Sequence, residues 1–219
     1  MPIDYNKRPA AKPAAPAAPA ASGPVSLTKR GEKVSLAKGS SGGPVRINLN
    51  WNQQPAGGGG LFKKRSGGID LDLGCLFELS DGSKGAVQAL GGGFGSLTSP
   101  PFIQLDKDDR SGTATDGENL LISEAHSDKI KRIAVFAFIY EGVPNWAKAG
   151  GVVTIHPPQG AAITIELDEA RAGKIMCGVC LVHGGRNGFT VEREVQYVSG
   201  HKELDQLYGW GMQWTRGSK

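Results

Sequence analysis

The stretch that decides the fold is IDLDLGCLFEL, residues 69–79. Ile69, Leu71, Leu73, Cys75, Phe77 and Leu79 alternate with Asp70, Asp72, Gly74, Leu76 and Glu78. A period of two is that of a β-strand, here expected to bury one face. Asp70 and Asp72 leave the strand on the same side, with Cα atoms roughly 6.5 Å apart at ~3.3 Å per residue.

Working outward, a second acidic cluster follows in LDKDDRSGTATDGENL, residues 105–120. Asp106, Asp108, Asp109, Asp116 and Glu118 flank a Ser-Gly-Thr-Ala-Thr centre. Carboxylates gathered this way repel one another unless a cation sits between them. Hard oxygens on a bendable loop suit calcium, which takes about 6–8 oxygens at ~2.3–2.6 Å. The EF-hand pattern does not fit. Counted from Asp106, its fifth position is Arg110 and its sixth Ser111, where that loop needs an oxygen ligand and a glycine.

The rest of the chain is punctuated in the same way. Short strands are expected in 25–38 and 45–51, with turns at Arg30-Gly31 and Gly39–Pro44. Further short strands are expected at 86–90, 102–105 and 119–123. Lys131–Tyr140 is apolar on both faces, as a central strand is. Strands at 151–156, 162–167, 174–183 and 189–198 complete the pattern. The fold class is all-β, an antiparallel β-sandwich. Residues 144–149 allow one helical turn. Residues 200–208 predict a short C-terminal helix with Leu204, Leu207 and Tyr208 on one side. Trp210, Met212 and Trp214 are expected to pack on the sandwich.

Residues 1–24 are rich in Ala and Pro and are read as an extended, disordered tail, leaving 25–219 as the folded domain. Charge is uneven: net +2 in residues 1–24, +7 in 25–68 and −5 in 69–219. The basic pI belongs to the N-terminal third, so a uniform nucleic-acid surface is not indicated and no nucleic-acid partner is expected. Lys63-Lys64-Arg65 reads as a solvated loop. No stretch is apolar enough to span a bilayer, and the N-terminus lacks the apolar region of a signal peptide, so a cytoplasmic protein is expected.

The three cysteines do not form a disulfide framework. Cys177 and Cys180 have the spacing of a redox pair, but they lie in the apolar run KIMCGVCLVH. Positions three apart on a strand face opposite sides, so the two sulfurs are expected to diverge and to behave as structural, buried groups. Cys75 reads the same way. A thiol site built from all three requires adjacent strands. The four histidines have no zinc spacing, and no nucleophile–base constellation, P-loop or dinucleotide fingerprint is present. Glu192 and Glu194 share a strand face.

The chain resembles the TerD-type tellurium-resistance and stress-response family, and most closely its TerA branch. VSLTKRGEKVSL is similar to that family's opening strand pair, GIDLDLGCLFEL to its Asp-x-Asp strand, and KDDRSGTATDGEN to its acidic loop. GHKELDQLYGWGMQW resembles the TerA branch in particular, and the motifs together cover residues 25–219.

The resemblance implies a calcium-binding β-sandwich acting with other tellurite-resistance proteins, one of them membrane-embedded, at the cytoplasmic face of the membrane. Asp70 and Asp72 match the family's paired aspartates, and Asp108 matches its loop aspartate. Asp109 stands where the family has Asn. Glu118 falls near the second Asp of the distal run, here Asp116-Gly117-Glu118-Asn119, whose last position has become Asn. The implied metal set is therefore Asp70, Asp72, Asp108, Asp109, Asp116 and Glu118. The expected function is a calcium-binding adaptor rather than an enzyme. The alternative is a thiol-dependent tellurite reductase using Cys177 and Cys180.

Overall fold

A computed structural model describes residues 24–39, 42–52, 69–106, 117–142, 144–169 and 171–214. Among them the strands run, in chain order, β1 (Val25–Ser26), β2 (Lys33–Ala37), β3 (Val45–Asn50), β4 (Asp70–Leu79), β5 (Lys84–Gln88), β6 (Gly95–Ser96) and β7 (Ile103–Leu105). They continue as β8 (Glu118–Ile122), β9 (Ile130–Glu141), β10 (Gly151–His156), β11 (Ile163–Leu167), β12 (Met176–Gly185) and β13 (Gly188–Val198). A 3-10 turn, Glu124–Lys129, joins β8 to β9. The helices are α1 (Trp146–Ala149) and α2 (His201–Tyr208).

Two sheets form the sandwich, in the orders β1-β11-β10-β3-β8-β7-β6 and β2-β13-β12-β9-β4-β5. Every pairing is antiparallel except β1 with β11. The opening segment is not a simple hairpin, because β1 joins one sheet and β2 the other. The core follows from the period of two. In β3, Val45, Ile47 and Leu49 are buried while Arg46 and Asn50 are exposed. They meet Leu71, Leu73, Ile133, Val135 and Ala137 from the facing sheet. Burying each such aliphatic side chain contributes roughly 1.5–3 kcal/mol.

The strand that decides the fold differs from its expectation in one respect. β4 is buried on both faces. Leu71, Leu73 and Cys75 join the sandwich core, while Leu76 joins a second cluster with Ala134, Phe136, Phe138, Met176, Val198, Leu204 and Trp210. The outer face is dry because α2 and the segment after it cover it. Gly178 permits this, since a Cβ there would stand 2.7 Å from Tyr208 Oη and 2.9 Å from Leu204 Cδ1. Within α2, Leu204 is buried, but Leu207 is 42% exposed and does not join it. Past the helix, the Asp205 carboxylate accepts the Gly211 and Met212 N–H groups and Trp214 Nε1 at 2.9, 2.9 and 3.1 Å.

Trp210 donates Nε1 to Phe77 O at 3.0 Å and lies under the Arg132 guanidinium, 3.9 Å from its ring centre. Arg132 in turn holds Glu78, at 2.6 Å, and Lys131 holds the other Glu78 oxygen at 2.7 Å. These contacts, the Lys131 hydrogen bond foremost, keep the Glu78 carboxyl down at about 2.

Candidate metal centre

The two acidic stretches meet where Glu118 of β8 reaches β4. Asp70 and Asp72 open β4, two residues apart, and the burial of Leu71 and Leu73 in the core turns both aspartates the other way. Asp72, opposite Phe138 on β9, is 1% exposed. Asp70 is opposite Glu141, and the register slips there, with Tyr140 of β9 left between the pairs Asp70–Glu141 and Leu71–Ile139. Trp51 ties the preceding backbone down, donating Nε1 to Ile69 O at 3.0 Å.

The second cluster meets this strand through Glu118. On β8, Glu118 shares the inward face with Leu120 and Ile122 and is 5% exposed. Its Oε2 accepts the Leu73 N–H at 2.6 Å. The reason is local. β5 runs out at Gln88, opposite Gly74, one residue short of Leu73. A buried backbone N–H needs an acceptor, and Glu118 reaches across from the other sheet to supply it. Glu118 thus meets β4 at the Leu73 backbone, a role the sequence did not reveal.

The mouth of the acidic loop is a clasp. Asp106 Oδ1 and Oδ2 accept Asn119 N and Nδ2 at 2.9 and 2.7 Å, and Asp106 N donates to Asn119 O at 2.9 Å. Asn119 Oδ1 accepts Arg46 Nη1 at 3.1 Å and Asn48 Nδ2 at 3.0 Å. Asn119, the departure from the family pattern, is thus a hydrogen-bond hub, and Asp106 serves it. Gly117 has φ +68°, and a Cβ there would lie 2.1 Å from Leu49 O, so only glycine brings the returning chain against β3.

Asp108, Asp109 and Asp116 lie outside the described residues, as do the Lys63-Lys64-Arg65 knot and residues 1–23. Among the described residues, no three His, Cys, Asp or Glu side chains are placed to hold a metal. The described carboxylates here are Asp70, Asp72, Asp106, Glu118 and Glu141. By type they are hard-oxygen donors of the kind calcium takes.

The thiols sit elsewhere and differ from expectation. Cys177 and Cys180 do not diverge. Between Gly178 and Cys180, β12 advances two residues while β9 advances one, Phe136 to Val135, and β13 advances three, Gln196 to Arg193. Val195 adopts φ 45° at this bulge. The extra residue restores the phase, so Cys177, Val179, Cys180 and Val182 all enter the sandwich core. Cys75 and Cys180 both stand opposite Val135, on either side of β9, so their strands are not adjacent. All three thiols are free and buried. Burial pushes Cys180 up to about 12 and raises Cys75 and Cys177 as well. Glu192 and Glu194 are each held in an ion pair, with Lys33 at 3.2 Å and Arg30 at 2.9 Å.

No family model matches the chain. A curated relative, the tellurium resistance protein TerA of an Alcaligenes species, is 44% identical over 198 residues. The match takes in 89% of this chain and 58% of the relative, so the chain spans little more than half of that protein's length. Among solved structures, SAV2460, a protein of unknown function, has a TM-score of 0.56 at 14% identity, over 78% of this chain and 98% of that one. A homologue of the telluride resistance protein TerD, SCO6318 from Streptomyces coelicolor A3(2), has a TM-score of 0.49 at 17% identity, over 74% of this chain and 94% of that one.

The shared fold is that of a two-sheet β-sandwich protein. The chain belongs to the TerD-type tellurium-resistance family, on its TerA side.

Proposed function

We propose that this chain is a calcium-binding adaptor of the tellurite-resistance and stress-response system. The observation that carries the reading is the Glu118–Leu73 hydrogen bond, which fixes the mouth of the acidic loop to the strand bearing Asp70 and Asp72. Calcium held by Asp70 and Asp72 with Asp108, Asp109, Asp116 and Glu118 neutralises their mutual repulsion. Binding then orders the loop against β4 and presents it as a recognition surface. The partners proposed are other tellurite-resistance proteins, one of them membrane-embedded, met at the cytoplasmic face. Among the described residues no helix is long and apolar enough to cross a membrane.

A binding role rather than thiol catalysis is supported by the cysteines, whose burial and raised pKa values disfavour the reactive thiolate. The test is calcium titration of the full chain beside Asp72→Asn. Loss of binding in the variant supports the ligand assignment, and unchanged binding refutes it.

A further inference from the structure

A second oxygen site lies away from the acidic loop, in the 3-10 turn between β8 and β9. Glu124 is 1% exposed and Ser127 is 0% exposed. One Glu124 oxygen, Oε2, accepts the Gly39 N–H at 3.0 Å. Among the described residues the other, Oε1, has no hydrogen-bond partner, and neither has Ser127 Oγ. Among the described residues no Lys, Arg or His forms an ion pair with Glu124. A buried carboxylate with neither a counter-charge nor a full set of hydrogen bonds is strongly disfavoured.

The two side chains are three residues apart, on either side of the kink at His126, and both are buried. Backbone oxygens of the same segment lie against β12. A Cβ on Gly184 of β12 would lie 2.4 Å from Ser127 O and 2.0 Å from Ile130 O. Glu124 and Ser127 thus offer two unpartnered hard oxygens, among the described residues, and one negative charge.

We propose that Glu124 and Ser127 hold a monovalent alkali cation, sodium or potassium, in the buried corner between the 3-10 turn and β12. Charge selects the class of ion. One carboxylate matches one positive charge, whereas a divalent ion leaves an uncompensated charge in a dry site. Calcium also takes about 6–8 oxygens and is better served by several carboxylates. The cation ties the 3-10 turn, through Glu124, to Gly39 at the end of β2. It is a structural ion, separate from the calcium proposed at the acidic loop.

Thermal unfolding of the full chain tests this, with a chelator present throughout so that the outcome does not depend on calcium. Sodium, potassium and choline chlorides are compared at equal ionic strength. The expected midpoint in sodium or potassium exceeds that in choline by about 3 °C, as a roughly fivefold excess of ion over its dissociation constant gives for a chain of this size. The better of the two metals names the ion. Glu124→Gln removes the difference, and Ser127→Ala shrinks it. Each variant is referred to its own midpoint in choline, so a general loss of stability cancels, and Ser127→Ala carries the test should Glu124→Gln not fold. Equal midpoints in all three salts overturn the proposal and leave a buried water at the site. A salt difference that survives in both variants places the ion elsewhere and overturns it equally.

Discussion

Glu118 Oε2 stands 2.6 Å from Leu73 N, joining the two sheets at the end of the sandwich where the acidic loop opens. A carboxylate here completes a strand edge that β5 leaves unpaired. The same side chain sits within a residue of Asp72 along that edge, so fold and proposed metal site share one group.

Removing that group should separate its two roles. Glu118→Ala should cost about 1.5–3 kcal/mol, the worth of a hydrogen bond to a charged group, because the Leu73 N–H loses its acceptor. Glu118→Gln keeps a carbonyl acceptor and should cost less, while still weakening calcium binding. Urea denaturation checks the first expectation and calcium titration the second. Equal stability of the Ala variant and the parent contradicts the edge-closing role.

Gly178→Ala should push α2 off the sheet. The added Cβ meets Tyr208 Oη and Leu204 Cδ1 at under 3.0 Å, an overpacking that costs about 1–3 kcal/mol. Near-ultraviolet circular dichroism should lose intensity, since α2 and the buried Trp210 share one cluster. An unchanged spectrum and melting curve contradict the close contact.

Acid should destabilise the chain through Glu78. Its folded-state pKa is depressed to about 2, so its stabilising contribution is present above the ordinary carboxylate value of 4.5. That contribution falls away as pH drops from 4.5 towards 2, because the unfolded chain takes up the proton first. Glu78→Gln should lower stability at neutral pH and flatten its decline across this window. A parallel decline in parent and variant contradicts the assignment.

The thiols should be silent in the native state. Cys75, Cys177 and Cys180 are buried with raised pKa values, so a disulfide reagent should react with them only on unfolding. Cys177→Ser and Cys180→Ala should retain tellurite resistance in cells apart from a modest loss of stability. Loss of resistance in folded, calcium-competent variants makes the reductase the better reading.

Alternation and turn residues made the sandwich legible in the sequence, because a period of two and a Gly or Asp turn are local properties. The central place of β9 was legible too, from apolar residues on both its faces. The second burial of β4 was not, since Gly74 and Glu78 look like a wet face until α2 and Trp210 cover them. The phase of Cys177 and Cys180 was lost to a bulge that depends on β9 and β13 rather than on the residues between the two cysteines. That the distal acidic run returns to the Asp-x-Asp strand was legible through the family pattern, but the Glu118–Leu73 backbone bond was not. The Asp106–Asn119 clasp was not, because a hydrogen-bonding Asp and a metal-binding Asp look alike in a sequence. Nor did anything local mark Glu124, whose burial follows from packing beneath β12 and the end of β2.

Calorimetric titration of calcium into the full chain, set beside the Asp70→Asn/Asp72→Asn double variant and Asp72→Asn alone, tests the central claim most directly. The account predicts saturable calcium binding by the parent, weaker binding by Asp72→Asn and none by the double variant. Magnesium should bind the parent far less well, because it demands a tight octahedron and sheds water reluctantly. Absence of calcium binding in the parent, or undiminished binding in a folded double variant, would contradict it.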